Sequence, residues 1–333
     1  MDPKRPPSGK LSAVPPVSTF EPTSELPLRR TLSPPPHPGL LGRLGAYEVT
    51  ELIGAGSMGL VFRARDRAKG QVVAIKALKP ELGIEPRAVR CFLREARYMQ
   101  RLAHPNILPV LEVPDPSGSP YLVMPYIEAG SLAMRLQTGQ PLGDDLTLSL
   151  AGQIAAAIAY AHSQGIIHHD LKPGNVLVDG EGRAYLTDFG LARAMAGEST
   201  GSADPGACVG TAPYMSPAVA AGEAEDTRCD IYSFGALLYE MLTGHPPYTG
   251  ETASQIVQQI LARLPRRIRE LKPAAEPGLV VIAEAAMARE LRDRYSRMAD
   301  VVTDLERAAQ RLPPLGPALT NQRSERPWSS GWA

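Results

Sequence analysis

The sequence predicts an α+β chain in two lobes, a small β-rich lobe followed by a larger helical one, with a cleft between them. Two observations predict this. Short β-branched or apolar runs separated by Gly and charged turns fill the first third of the core, and long helical patterns take over after Gly130. A third sets the scale: 333 residues at 44% hydrophobic and 21% charged are enough to bury a substantial core.

In order, Tyr47 to Ile53, Leu60 to Ala64 and Val72 to Leu78 read as strands. A helix follows, with Pro86 suited to its first turn and Val89, Leu93, Ala96 and Met99 at helical spacing. Leu108 to Val113 and Tyr121 to Met124 read as two more strands. The second lobe is read from helical patterns at Leu146 to His162, Asp230 to Leu242, Ala253 to Leu264 and Met298 to Arg311, with Pro265 ending the third. Residues 1–44 hold eleven prolines and eight Ser or Thr without apolar periodicity, so they are expected to form a disordered Pro-rich tail. Pro313-Pro314 closes the last helix, leaving residues 313–333 as a second, short tail and a core domain at 45–312, with lobes at 45–127 and 128–312.

Lys and Arg number 35 and Asp and Glu number 35, so no net field draws the chain to nucleic acid or an acidic membrane. Cys91, Cys208 and Cys229 match neither a disulfide framework nor a zinc site and read as reduced thiols of a cytoplasmic protein. The start is polar and Pro-rich, unlike a signal peptide, and Leu146 to His162 is too short and too polar to span a bilayer. No nucleic-acid or membrane partner is expected.

Ile53-Gly54-Ala55-Gly56-Ser57-Met58-Gly59-Leu60-Val61 carries a G-x-G-x-x-G spacing. Without a Cβ, glycine lets backbone N–H groups approach phosphate oxygens, although glycines are also common in plain tight turns. A dinucleotide fold needs a helix straight after these glycines, whereas Leu60 to Ala64 has a strand pattern. No Lys-Ser/Thr pair follows to make a P-loop. A hairpin lid over a nucleotide fits better.

The most informative run is Ile166-Ile167-His168-His169-Asp170-Leu171-Lys172-Pro173-Gly174-Asn175-Val176-Leu177, followed by Leu186-Thr187-Asp188-Phe189-Gly190. Two carboxylates, an amide and a lysine suited to phosphoryl transfer fall within nineteen residues. Asp170 can orient an attacking hydroxyl and accept its proton, and Lys172 can neutralise charge on the moving group. Asn175 and Asp188 offer the hard oxygen ligands that Mg²⁺ prefers.

With these motifs in order from Tyr47 to about Leu312, the chain resembles a Hanks-type (eukaryotic-like) serine/threonine protein kinase of bacterial type, and so a bilobal protein-kinase-like fold. The Lys two residues after Asp170 and the segment Gly210-Thr211-Ala212-Pro213-Tyr214-Met215-Ser216-Pro217 resemble serine/threonine members. The resemblance implies ATP and Mg²⁺, with Mn²⁺ an acceptable substitute. It also implies protein substrates with Ser or Thr acceptors, and leaves room for a transient homodimer. It makes Lys76, in Val73-Ala74-Ile75-Lys76, the partner of Glu95 in gripping the α- and β-phosphates. Ile53, Gly54, Gly56, Gly59 and Val61 belong to the nucleotide lid, and Val61, Ala74 and Leu177 would sandwich the adenine. Met124 would stand behind the ring, and the carbonyl of Pro125 and the N–H of Ile127 would meet its edge. Val110, Met99, Phe189 and His168 would stack between the lobes, and Asp230 would hold the catalytic loop from below.

Two departures from the family pattern stand out. His169 replaces the arginine that usually pairs with a phosphorylated loop residue, so basal turnover is expected to depend little on activation-loop phosphorylation, although the loop still offers Ser199, Thr200, Ser202 and Thr211. Ala218 replaces a glutamate whose usual partner matches Arg294. That guanidinium is therefore expected to be poorly compensated unless Glu223 or Glu225 takes over, and Ala218→Glu is expected to stabilise. A nucleotide-binding scaffold without turnover and a small-molecule phosphotransferase are the competing readings. Retention of Lys76, Glu95, Asp170, Asn175 and Asp188 weighs against the first, and the Gly210 to Pro217 segment against the second.

Overall fold

The computed structural model describes residues 31–35, 38–56, 59–114, 120–189, 210–224 and 226–317. Strands β1 (Gly42–Leu44), β2 (Tyr47–Ala55), β3 (Gly59–Asp66), β4 (Val72–Leu78) and β5 (Tyr121–Pro125) form one antiparallel sheet in that order. After β4 come a single turn, α1 (Pro80–Gly83), and the long α2 (Pro86–Arg101), which opens with proline at a first-turn position as expected. Alternation along the strands sorts the side chains. Val49, Phe62, Ala64, Val73, Ile75, Ala77 and Val123 share one face with Leu32 and Leu44. Ala74, Leu78, Leu122 and Met124 take the other, against Phe92 and Ala96 of α2. With both faces covered, β4 is a continuous apolar run rather than an alternating one.

The sheet begins earlier than its expected boundary. Ser33 pairs with Arg43 through bonds of 2.9 and 3.0 Å, Leu32 is only 8% exposed within the sheet cluster, and β1 lies inside the stretch read as tail. A single apolar residue among prolines has no periodicity, so this docking left no sequence signal. The strand expected over Leu108 to Val113 does not form. Pro109 has no N–H to give, and the chain changes partner: Ile107 bridges to Leu186 in the second lobe, and Glu112 to Val123 in the first. This stretch crosses between the lobes.

The second lobe is built from α3 (Leu132–Leu136), α4 (Asp144–Ser163), the two-stranded ribbon β6 (Val176–Val178) and β7 (Ala184–Leu186), α5 (Pro217–Ala220), α6 (Arg228–Thr243), α7 (Ala253–Ala262), α8 (Ile268–Leu271), α9 (Pro277–Ala286) and α10 (Met298–Ala309). The four long helices expected from the sequence appear within two residues of their expected ends. The pattern did not mark α9: ten almost wholly apolar residues have no polar face to reveal a period. Every residue of α6 from Cys229 to Thr243 is buried, so this helix is the lobe's axis. A Cβ at Gly235 would lie 2.7 Å from Met287 Cγ and 2.9 Å from Ala286 Cβ, so glycine there lets α9 close onto α6. Past the last helix the chain stays anchored: Leu315 and Gly316 donate their N–H groups to Asp304 at 2.7 and 2.9 Å. Among the described residues no helix is long and apolar enough to cross a membrane.

Arg294 is 1% exposed, yet it is better held than the sequence suggests. It donates to the carbonyls of Ala288 (2.9 Å), Arg228 (3.1 Å) and Arg289 (3.3 Å) and lies 5.2 Å over the ring of Tyr232. Glu225 lies outside the described residues. Main-chain acceptors leave less for a new carboxylate to satisfy, so Ala218→Glu is expected to stay within about 0.5 kcal/mol of the parent. Thermal denaturation showing a gain well above that would mean the charge is still undercompensated.

Candidate active site

Four neighbouring strands set the upper wall by register alone. Gly54 pairs with Val61, Val61 with Lys76, and Ala74 with Met124, placing the lid, the lysine and the expected adenine pocket on one face. A Cβ at Gly59 would come within 2.9 Å of the Ala77 carbonyl, so glycine is required where β3 and β4 close behind the lid. Gly56 N–H bonds to the Gly59 carbonyl at 2.9 Å, making the hairpin turn the sequence implied; Ser57 and Met58 lie outside the described residues. Ala74, Met124, Ile127 and Leu177 fall in one apolar cluster, with Leu177 contributed by β6 of the second lobe. Pro125 ends β5, opposite Val73, and Ile53 on β2 is 39% exposed at the lid's outer end. The column expected between the lobes is present: Met99, Phe189 and Val110 share one cluster, and the rings of His168 and Phe189 are 4.4 Å apart.

Below the lid, the short catalytic run folds into a tight polar constellation. Lys172 Nζ bonds to Asp170 at 2.8 Å and to Thr211 Oγ1 at 2.7 Å, and the Thr211 hydroxyl reaches Asp170 at 3.0 Å. Asn175 directs its amide N–H₂ to the Asp170 carbonyl (2.8 Å) and carboxylate (2.9 Å). Its amide oxygen is thereby left as the atom for a metal. Asp230, fully buried at the start of α6, accepts the N–H groups of His168 and His169 at 2.7 and 2.8 Å and the imidazole of His162 at 2.8 Å. Burial lowers the pKa of His168. Its ring is neutral, with Nε2–H donating to the Thr187 carbonyl at 3.1 Å and Nδ1 accepting from Asp170 N–H at 3.3 Å. His169 and Asp188 have left-handed backbones, φ 63° and 62°, a conformation His and Asp tolerate better than most side chains. Strain held at both ends of a catalytic run is common at functional sites.

By sequence Thr211 counts among the hydroxyls that the activation loop offers. Its contacts with Asp170 and Lys172 place it in the site instead, a role for which a threonine in a loop carries no local signature. Ser199, Thr200 and Ser202 lie outside the described residues, as does Cys208. His169 Nδ1 lies 3.6 Å from Cys229 Sγ.

Lys76 joins the lobes. It bonds Asp188 at 2.7 Å and stands 3.9 Å from Glu95, whose two carboxylate oxygens are buried and lack a hydrogen-bond partner. Burial drives the Glu95 carboxyl up to about 8, Lys76 opposing and Asp188 and Asp170 reinforcing the rise. The nearer Asp188 is held below the usual carboxylate range because Lys76 outweighs its burial. The folded state therefore binds the Glu95 proton more tightly than the unfolded chain does. That contribution to stability is complete below about pH 4.5 and is lost as pH rises through about 8. Glu95→Gln is expected to remove the loss, making the nucleotide-free variant more stable than the parent by over about 1 kcal/mol at pH 9 but not at pH 4.5. Denaturant melts at the two pH values that differ equally for both proteins would refute this.

The donor set suits one hard cation. The Asp188 carboxylate, partly open at 31% side-chain exposure, and the Asn175 amide oxygen are the ligands a Mg²⁺ ion takes when substrate phosphates and waters complete its shell. Consistently, the described residues form no cluster of three or more His, Cys, Asp or Glu that could cage a metal unaided.

Comparison with known proteins agrees with this geometry. The chain is 35% identical to a probable serine/threonine-protein kinase of Streptomyces coelicolor, over 79% of its own length and 40% of that protein's. It is 34% identical to the serine/threonine-protein kinase PknB of Mycobacterium tuberculosis, over 82% of this chain and 44% of PknB. The chain thus spans about two-fifths of the curated relatives it matches. Among solved structures it resembles Rad53 residues 1–466 in complex with AMP-PNP, with a TM-score of 0.63 and 27% identity over 78% of this chain and 64% of that one. The family model described as "Protein kinase domain" matches residues 47–303, from the first residue of β2 into α10, and the chain belongs to that family.

Proposed function

We propose that the chain is an ATP-dependent serine/threonine protein kinase. The observation that carries this reading is the convergence on Asp170 of Lys172, Thr211 and Asn175, with Asp188 and Lys76 bonded to each other across the lobes. ATP lies under the β2–β3 hairpin, its adenine between Ala74 and Leu177 and its phosphates toward Lys76. Asn175 and Asp188 would hold Mg²⁺, which when bound would neutralise phosphate charge and orient the terminal group. A Ser or Thr hydroxyl is held by Asp170, which takes its proton as the Oγ–P bond forms and the bond from phosphorus to the β–γ bridging oxygen breaks. Lys172, already bonded to Asp170, compensates charge on the transferred group. Catalysis is positioning and charge compensation throughout.

The kinase relatives, the threonine contacting Asp170 and the Gly210 to Pro217 segment, which resembles that of serine/threonine members, together favour protein hydroxyls over small molecules as acceptors. Incubation with γ-labelled ATP and a protein acceptor, followed by acid hydrolysis, is expected to yield labelled phosphoserine or phosphothreonine. Saturable nucleotide binding with no transferred label would identify a scaffold instead.

A further inference from the structure

The outer face of α2 carries a charge pattern unrelated to catalysis. Arg90, Arg94, Arg97 and Arg101 recur every three or four residues, all exposed, so they fall within an arc of about 60° and a length of about 16 Å. Arg87 continues the row. The single carboxylate of the helix, Glu95, lies on its buried side with Phe92 and Met99. Among the described residues, no carboxylate lies within ion-pair distance of Arg90, Arg94, Arg97 or Arg101. Like charges three and four residues apart weaken a helix, and basic residues toward its N-terminus oppose its dipole. The chain as a whole balances 35 bases with 35 acids, so this one-signed row is local.

The chain itself contains a complementary stretch. Ser18-Thr19-Phe20-Glu21-Pro22-Thr23-Ser24-Glu25 has four hydroxyls, two carboxylates and no base. Unmodified, it offers two charges and is followed by Arg29 and Arg30. Each phosphate adds about −1.5 to −2 and three acceptor oxygens of the kind guanidinium groups bind in pairs. Eight extended residues span about 27 Å, enough to run the length of the arginine row. The six residue steps from Glu25 to Thr31, where the described chain starts on the sheet edge, add a tether of about 20 Å.

We propose that the arginine face of α2 is a docking surface for this chain's own Ser18–Glu25 segment in its phosphorylated form. The proposal goes beyond the kinase reading and depends on it only for the source of the phosphates, placed on Ser or Thr oxygens by the transfer described above. Docking neutralises the row along the helix that carries Glu95, so the phosphorylated chain holds α2 more firmly than the unmodified one.

The test uses the full-length Asp170→Asn chain and a labelled synthetic peptide of residues 16–27 phosphorylated at Thr19, Thr23 and Ser24. Because synthesis supplies the phosphates, the result does not depend on turnover by this chain. Expected are saturable binding that weakens with salt, a loss of about tenfold or more without the phosphates, and a similar loss when Arg90, Arg94, Arg97 and Arg101 are all changed to Gln. These exposed changes remove repulsion and should not impair folding; a melting curve checks that. Equal affinity for the four-Gln variant, or for the unphosphorylated peptide, overturns the proposal. So does arginine-dependent binding of phosphatidylserine vesicles or RNA with none of the phosphopeptide.

Discussion

Asp170→Asn is expected to lower the rate of phosphate transfer by about 10²- to 10⁴-fold, the usual contribution of a positioned general base, while nucleotide affinity stays close to that of the parent. Asn matches the shape of Asp, and its one amide oxygen can still accept from Lys172 and Thr211, while the bond from the Asn175 amide to the second carboxylate oxygen is lost. What disappears is the charge that draws the acceptor's proton and steadies Lys172. The change should therefore appear in kcat and barely in nucleotide Kd, measured by single-turnover transfer alongside nucleotide titration. Equal losses in transfer and in nucleotide binding would mean that Asp170 shapes the pocket rather than handling the proton.

How much of this was legible in the sequence depended on how local each feature is. The catalytic run was readable because Asp170, Lys172 and Asn175 lie within six residues and Asp188 follows closely, so one loop and one ribbon bring them together. Strands β2 to β4 were readable from their turns and β-branched runs. Features that depend on distant main-chain atoms were not. The three carbonyls around Arg294 have no residue-type signature, so Ala218 looked like a missing partner. Thr211 takes its role from a fold that returns it to Asp170 across 41 residues. Leu32 gains its place only because β1 and Gly42 leave a seat for it at the sheet edge. The sequence motifs pair Lys76 with Glu95. Asp188 holds Lys76 more closely, 2.7 Å against 3.9 Å, because the two lobes bring Asp188 to the lysine.

Asp230→Ala should give the largest loss of stability among single changes near the site. The carboxylate is fully buried and accepts three N–H hydrogen bonds, two of them from the consecutive main-chain groups of His168 and His169. Removing it strands those groups, each at about 1–3 kcal/mol, and leaves His162 without its anion, for a total of about 3–5 kcal/mol. For a domain of this size that lowers Tm by about 10 °C. The backbone of His169 needs this hold, since its left-handed conformation is otherwise unfavourable. Turnover should thus fall even at temperatures where the variant remains folded, because Asp170 is the next residue. Asp230→Asn, which keeps one acceptor oxygen, should fall between parent and alanine. The acid limb supplies an independent check. Against its burial, His162 and His168 hold Asp230 below the usual carboxylate range, so its contribution is complete above about pH 4 and lost only as pH falls through that lower value. Asp230→Asn should therefore narrow its deficit against the parent in strong acid. An alanine variant that melts with the parent and transfers phosphate at the parent's rate would show that the catalytic loop is held by something other than α6.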